Sequence, residues 1–320
     1  MTLPKEWIKL SNIKKNDPLG IYIQSDGTLL ITPKMSRAQD KKIKQFDMKH
    51  ISKQSYLLRE LIAAYIAGYN TITINSDKRI SPSIRSTITE FTHATIGQEV
   101  VEETDNSITL KDLLNPTEMP FDRTIKRMNI IVRGMNEDAI KAFKTNDQSL
   151  AERVINRDSD VDRLHWLVAR QHNTIIQNVS LAEKMDTTIK LSLTFFLISR
   201  IIERIGDHIV KIAENIFQII DSIDDKKIIE KIESASILSM NIFNKSIAAL
   251  FRKDIKASNQ NIETVLELET LCDEIDSLSL NQNGVIAVSI GSICDSIRRI
   301  GEYSEDISEN VINHLIGEEK

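Results

Sequence analysis

Residues 203–216 read ERIGDHIVKIAENI, and the way this stretch winds decides the fold. At about 100° per residue, Ile202, Ile205, Ile209, Ile212 and Ile216 fall on one stripe, the pattern of a helix that buries one face. Glu203 and Asp207 lie nearly opposite the stripe, so the wheel predicts that both carboxylates face away from the helix's own core. The same text returns near the end of the chain as RRIGEYSEDISENV, residues 298–311. Aligned without a gap, Arg204, Ile205, Gly206, Ile212, Glu214 and Asn215 match Arg299, Ile300, Gly301, Ile307, Glu309 and Asn310.

Working outward, SDVDRL at 159–164 matches DEIDSL at 273–278, and MNII from Met128 matches MNIF from Met240. Three matches in one order indicate an internal duplication. The copies differ in length: Asp162 to Asp207 spans 45 residues and Asp276 to Glu302 only 26, so the second copy has lost part of a helical hairpin. Everything beyond about residue 121 is helical in pattern. Breaks near 146–147, 178–181, 221–225, 253–261 and 281–284 delimit about six helices in two sets of three.

The acids recur in pairs. Before the quoted helix, Val154, Val161, Leu164 and Val168 make a second apolar stripe, with Asp158 and Asp162 at its shoulder, again four apart. Where two such helices are neighbours, four carboxylates meet. Like charges at this spacing cost a few tenths of a kcal/mol in an isolated helix, and facing pairs repel more. A divalent or trivalent cation held by hard carboxylate oxygens would relieve the repulsion. Ordinary salt bridges to Arg157, Arg200 and Arg204 would also relieve it, and spacing alone leaves both readings open. His165 and His208 lie near the pairs, but neither reading needs them. No Ser/His/Asp or Cys/His constellation, glycine-rich phosphate loop or HExxH is present, so the chain is not expected to be an enzyme.

The first third is different. IYIQSDGTLLIT, residues 21–32, places Asp26-Gly27 between two β-branched runs, which predicts a hairpin. A brief helix around Glu6–Leu10 and a strand end at Thr2-Leu3 precede it. SYLLRELIAAYIA at 55–67 and SIRSTITEFTHATIG at 83–97 read as helices, and TITINS at 71–76 and QEVVEETDNSITL at 98–110 as strands. Prolines in LLNPTEMPFD, 113–122, mark the boundary with the helical body.

Charge is uneven along the chain. Residues 1–60 hold 12 Lys/Arg against 6 Asp/Glu, and the remainder 29 against 40. A basic head can meet phosphates. Cys272 and Cys294 have neither zinc-ribbon nor disulfide-framework spacing, which suits reduced thiols and a cytoplasmic location. The longest apolar run, LSLTFFLISRII at 191–202, is too short and too interrupted to span a bilayer.

DSDVDRL in one helix, ERIGDHIVKIAEN in a later one, and the altered second copy of both resemble the PhoU family of phosphate-signalling regulators. The resemblance covers about residues 121–316. It implies a mainly α fold of two three-helix repeats forming a helical bundle, repeat 1 over 121–222 and repeat 2 over 223–320. It further implies regulation of phosphate uptake through a phosphate transporter ATPase or a signalling kinase, and a multinuclear metal site of iron, zinc, manganese or magnesium. Carried over, the ligands are Asp158, Asp162, Glu203 and Asp207. In repeat 2, Glu302 stands for Asp207 and Asp276 for Asp162. Arg298 replaces Glu203 there and Cys272 replaces Asp158, so the second site is expected to be lost or weakened. Glu269 and Asp273 form an alternative pair.

LPKEWIKLSNIKKND followed by IYIQSDGTLLITP resembles the AbrB/SpoVT swapped-hairpin domain, with Asn16 where that family has Gly. Such a head on a PhoU-like body is an archaeal arrangement. It implies a homodimer formed through residues 1–45 and DNA contacts from Lys5, Lys9, Lys14, Lys15, Lys34 and Arg37, with residues 46–120 as a connecting α/β segment. Two other readings remain from sequence: an AbrB-type transcriptional regulator that uses the body only as a module, and a metal-free helical adaptor.

Overall fold

A computed structural model of the chain describes residues 2–23, 27–33, 42–51, 53–115, 118–223 and 225–318. Asp26 of the expected turn, and Lys34 and Arg37 of the basic set, lie outside these residues. The head consists of α1 (Lys5–Leu10) and an antiparallel hairpin of β1 (Gly20–Ile23) and β2 (Leu29–Thr32), with Ile21 opposite Ile31. No strand forms at Thr2-Leu3, which is irregular backbone leading into Pro4.

The α/β unit starts earlier than the expected boundary at residue 45. Strand β3 (Ile43–Asp47) straddles that boundary and pairs in parallel with β4 (Thr71–Asn75) through the crossover helix α2 (Gln54–Ile66). Helix α3 (Pro82–Ala94) follows, capped by the Ser81 hydroxyl, which accepts from the Ile84 amide. The single strand expected over 98–110 is a hairpin, β5 (Gln98–Glu103) and β6 (Ser107–Asp112), with a bulge between Val100 and Glu102. Sheet order is β3-β4-β6-β5. Leu57, Leu61, Tyr65, Ile72, Ile74, Phe91 and Leu110 form its core.

The body holds nine helices among the described residues. In repeat 1 these are α4 (Phe121–Thr145), α5 (Gln148–Asn156), α6 (Asp158–Gln177), the short α7 (Val179–Lys184) and α8 (Ile189–Ile219). Repeat 2 has α9 (Lys226–Arg252), α10 (Ile255–Glu263), α11 (Val265–Ser279) and α12 (Gly284–Ile316). Each three-helix set is recovered when α5 with α6, and α10 with α11, count as one interrupted helix and the short α7 is set aside as a connection. The break expected over 253–261 is shorter than its sequence suggested: Lys253 takes a left-handed turn, Asp254 caps the Ala257 amide and helix resumes at Ile255. Asn146 and Asp147 make the same junction in repeat 1, 107 residues earlier at both positions. In that register Met128 aligns with Ala235, so the MNII and MNIF strings, 112 apart, are not equivalent in space.

The length difference between repeats is localised. Asp207 lies 18 residues after the start of α8, and Glu302 lies 18 after the start of α12. The shortfall therefore falls on the distal part of α6 and on α7. That distal part docks the α/β unit. Arg170 and Asp112 form an ion pair at 2.5 Å with side chains only 7% and 6% exposed. Arg170 also donates to the carbonyls of Tyr65 and Tyr69, Gln171 to that of Met119 and Asn173 to that of Ile66.

Candidate functional site

Helix α8 is enclosed by α12, α6, α4 and α5, and this changes the orientation of its acids. The stripe Ile202, Ile205, Ile209, Ile212 and Ile216 is fully buried, as the wheel predicts. Glu203 is buried as well, at 8% exposure, and Asp207 is half-buried. The expectation that both face away from packing is corrected by the neighbour the wheel could not see: α6 covers the side opposite the stripe.

The approach of the two helices is set by Val161 and Gly206; a Cβ on Gly206 would stand 3.7 Å from the Val161 methyls. Asp158 and Asp162 flank Val161, while Glu203 and Asp207 flank Gly206. Four carboxylates are thereby brought abreast. Asp158 is the first residue of α6, where the helix dipole favours a carboxylate.

All four acids are held above the ordinary carboxylate range. Burial is the first cause in every case, and mutual repulsion adds to it for Asp158, Asp162 and Glu203. Asp162 is pushed up to about 6 by burial, Asp158 and Asp207. Glu203 is pushed up to about 7 by burial and Asp207, although Arg200 donates to its Oε1 at 2.7 Å. The Arg200 side chain is 49% exposed, so its field is screened and does not offset the burial. Arg200 and Lys211 pull Asp207 the other way without cancelling the shift. Glu203 Oε2 and Asp158 Oδ1 are buried without a hydrogen-bond partner.

The salt-bridge reading of this face accounts for one acid only. Arg157 pairs with Asp138 at 3.4 Å, and the Arg204 guanidinium lies over the Tyr303 ring at 5.9 Å. No three Asp, Glu, His or Cys side chains among the described residues are arranged to hold one ion. The donors are hard oxygens, two of them buried and unpartnered, which is the chemistry a Mg, Mn or iron ion takes; the side chains as placed do not close around a centre.

The histidines belong elsewhere. His165 and His172 stack on either side of Phe196, and their Nδ1 atoms lie 3.0 and 2.9 Å from the hydroxyls of Ser199 and Ser192. Burial lowers both, His165 to about 4, so they are neutral packing groups of the α6–α8 contact. His208 turns toward α12, with its ring 5.6 Å from Tyr303, and lines a cavity of about 500 Å³ with Lys211, Asn215, Ser292 and Asp295.

Repeat 2 corrects the expected correspondence: α11 starts 107 residues after α6 and Leu268 faces Gly301 as Val161 faces Gly206, so Val265, Glu269 and Cys272 stand where Asp158, Asp162 and His165 do, and Asp276 lies two turns beyond the place of Asp162. Arg298, in the place of Glu203, donates to Asp276 at 3.0 Å and to Asp273 at 3.3 Å, and Arg299 pairs with Glu302 at 2.7 Å. Glu269 is exposed and joins no closed cluster. At the head, Lys5, Lys9, Lys14 and Lys15 are exposed, as a phosphate-contacting set would be.

Comparison with known proteins agrees with this architecture. Residues 125–216 match the model of the PhoU domain, and residues 1–39 match that of the antidote-toxin recognition MazE family of bacterial antitoxins. No match is found among curated protein sequences. Among solved structures, the phosphate transport system regulatory protein PhoU from Streptococcus pneumoniae superposes with a TM-score of 0.54 at 15% identity, covering 62% of this chain and 94% of that one. PhoU from Pseudomonas aeruginosa gives 0.53 at 19% identity, covering 62% and 96%. Residues 125–216 thus match the PhoU domain within a helical body that has the PhoU fold, behind a head whose residues 1–39 match the MazE antitoxin family.

Proposed function

We propose that the protein is a non-catalytic regulator of phosphate uptake, working on the cytoplasmic side through a protein partner such as a phosphate transporter ATPase or a signalling kinase. The PhoU domain and fold support the regulatory reading. No helix among the described residues is long and apolar enough to cross a membrane, so a membrane transporter would be met from outside the bilayer.

In this proposal Asp158, Asp162, Glu203 and Asp207 hold a divalent or trivalent ion. The observation that carries it is the pair of buried carboxylate oxygens on Asp158 and Glu203 that no arginine or amide satisfies. When bound, the ion would supply positive charge between α6 and α8. The chain's own residues supply the oxygens, keep the helices in contact through Val161 and Gly206, and hold Glu203 against Arg200. Elemental analysis of the purified chain tests the site, with thermal unfolding in added manganese as a second readout. Glu203→Ala with Asp207→Ala should lower metal per chain and abolish any rise in Tm. Unchanged stoichiometry would assign the ion to other residues.

The head is proposed to dimerise. Its hairpin leaves Ile21, Ile23 and Leu29 at 56%, 76% and 52% exposure and α1 buries no residue, so the described residues of this unit form no core of their own. Two-stranded hairpins are marginal alone, and a second copy would cover these side chains. DNA binding through Lys5, Lys9, Lys14 and Lys15 is the second reading, favoured by the MazE match. A gel shift lost steeply between low and physiological salt would support it; no shift at low salt would leave dimerisation alone.

A further inference from the structure

The two cysteines, buried in the repeat that lacks the full acid set, face each other across α11 and α12. Both are free and fully buried. Cys294 Sγ donates to the Cys272 carbonyl at 3.2 Å, and Cys272 Sγ approaches the Cys294 carbonyl at 3.9 Å. This reciprocal geometry requires the two residues to lie side by side. No third Asp, Glu, His or Cys completes a metal-binding group with them among the described residues. Cys272 occupies the position of His165 when α6 and α11 are aligned from their starts, and Cys294 that of Ser199 when α8 and α12 are, so the pair stands where His165 meets Ser199 in repeat 1.

We propose that Cys272 and Cys294 form a reversible disulfide, driven by peroxide-class oxidants, that ties α11 to α12 within one chain. One thiol, as thiolate, attacks a peroxide oxygen, the O–O bond breaks, and a sulfenic acid forms. The second sulfur then attacks the sulfenic sulfur. Hydroxide leaves and takes up the proton that the second thiol gives up. The net change is two thiols and one hydrogen peroxide giving one disulfide and two waters, with both electrons passing from sulfur to oxygen.

The bond joins residues 22 apart in sequence, Cys272 and Cys294, which restricts the unfolded chain and favours the folded one. The test treats the full chain with hydrogen peroxide, then denatures it, alkylates with iodoacetamide and measures intact mass. The expected result is a monomer lighter by two hydrogens, with both cysteines protected until dithiothreitol is added. Its Tm should exceed that of the reduced chain, and the rise should vanish in both Cys272→Ser and Cys294→Ser. Full alkylation of both cysteines after peroxide would overturn the proposal. Oxygen additions on one sulfur, or cross-links only between chains, would also overturn it.

Discussion

Repeat 1 and repeat 2 place the same kind of helix pair in the same register, yet they settle buried charge in opposite ways. In repeat 1, Asp158, Asp162, Glu203 and Asp207 share one half-exposed arginine, and all are held above their ordinary range. In repeat 2, Arg298 and Arg299 pair the acids around them, Asp273, Asp276 and Glu302, inside the chain. A fold can thus survive the exchange of ligand-type residues for self-neutralising ones, because the isoleucine stripes that hold α8 and α12 are the same in both.

The largest difference should appear at the docking segment that only repeat 1 has. Arg170→Ala leaves Asp112 buried without its partner, and loss of one member of such a pair costs about 3–5 kcal/mol. Denaturant unfolding should show it, with the α/β unit losing amide protection before the body. Equal protection in both units would mean that the contact contributes little.

The matched glycines should separate next. A Cβ at Gly301 would collide with the Leu268 side chain, whereas one at Gly206 meets Val161 at ordinary contact distance. Gly301→Ala should cost about 2 kcal/mol through overpacking and Gly206→Ala less than about 1. Similar midpoints for the two variants would break the asymmetry.

Asp162, crowded by other acids, and Asp276, paired with Arg298, should respond with opposite sign. The pKa of Asp162 is raised from the ordinary 3.8 to about 6, so the folded state holds its proton more tightly than the unfolded one. Its burden is absent below the ordinary value and fully present above about 6. Without metal, Asp162→Asn should raise stability at pH 7.5 by about 1–2 kcal/mol and flatten the decline between pH 4 and 6. Asp276→Asn gives up a partly exposed bond to Arg298 and should cost up to about 1 kcal/mol. Both are read from unfolding midpoints across pH in chelator.

The smallest stability effect and the sharpest chemical one belong to an exchange. Val265→Asp with Arg298→Glu, beside Glu269 and Glu302, writes the four acids of repeat 1 into repeat 2. Metal per chain should rise above that of the parent, while an unchanged ratio would mean that the acids alone do not make the site.

Much of this was legible in the sequence. The period of the isoleucines gave α8, its second copy gave α12, and Asp158 with Asp162 pointed to the helix beside it. Burial of Glu203 was not legible, because a wheel describes one helix and α8 touches four. Strand β3 was missed since its five residues lie in a lysine-rich run whose alternation is too brief to stand out. The break at Arg157 was hidden because Val154 and Val161 keep one stripe across it. The Arg170–Asp112 pair spans 58 residues, and no local pattern announces a partner at that distance.

Helix α6 carries the acids near one end and the α/β anchor in its distal half. From Asp162 to Arg170 is eight residues, about 12 Å of rise along a single rigid element. Any tilt of α6 that follows a change of charge between α6 and α8 must swing the α/β unit by the geometry of a lever, with Val161 against Gly206 as its fulcrum. Among the described residues the shorter α11 has no such arm, so this lever belongs to repeat 1 and leads toward the N-terminal third of the chain.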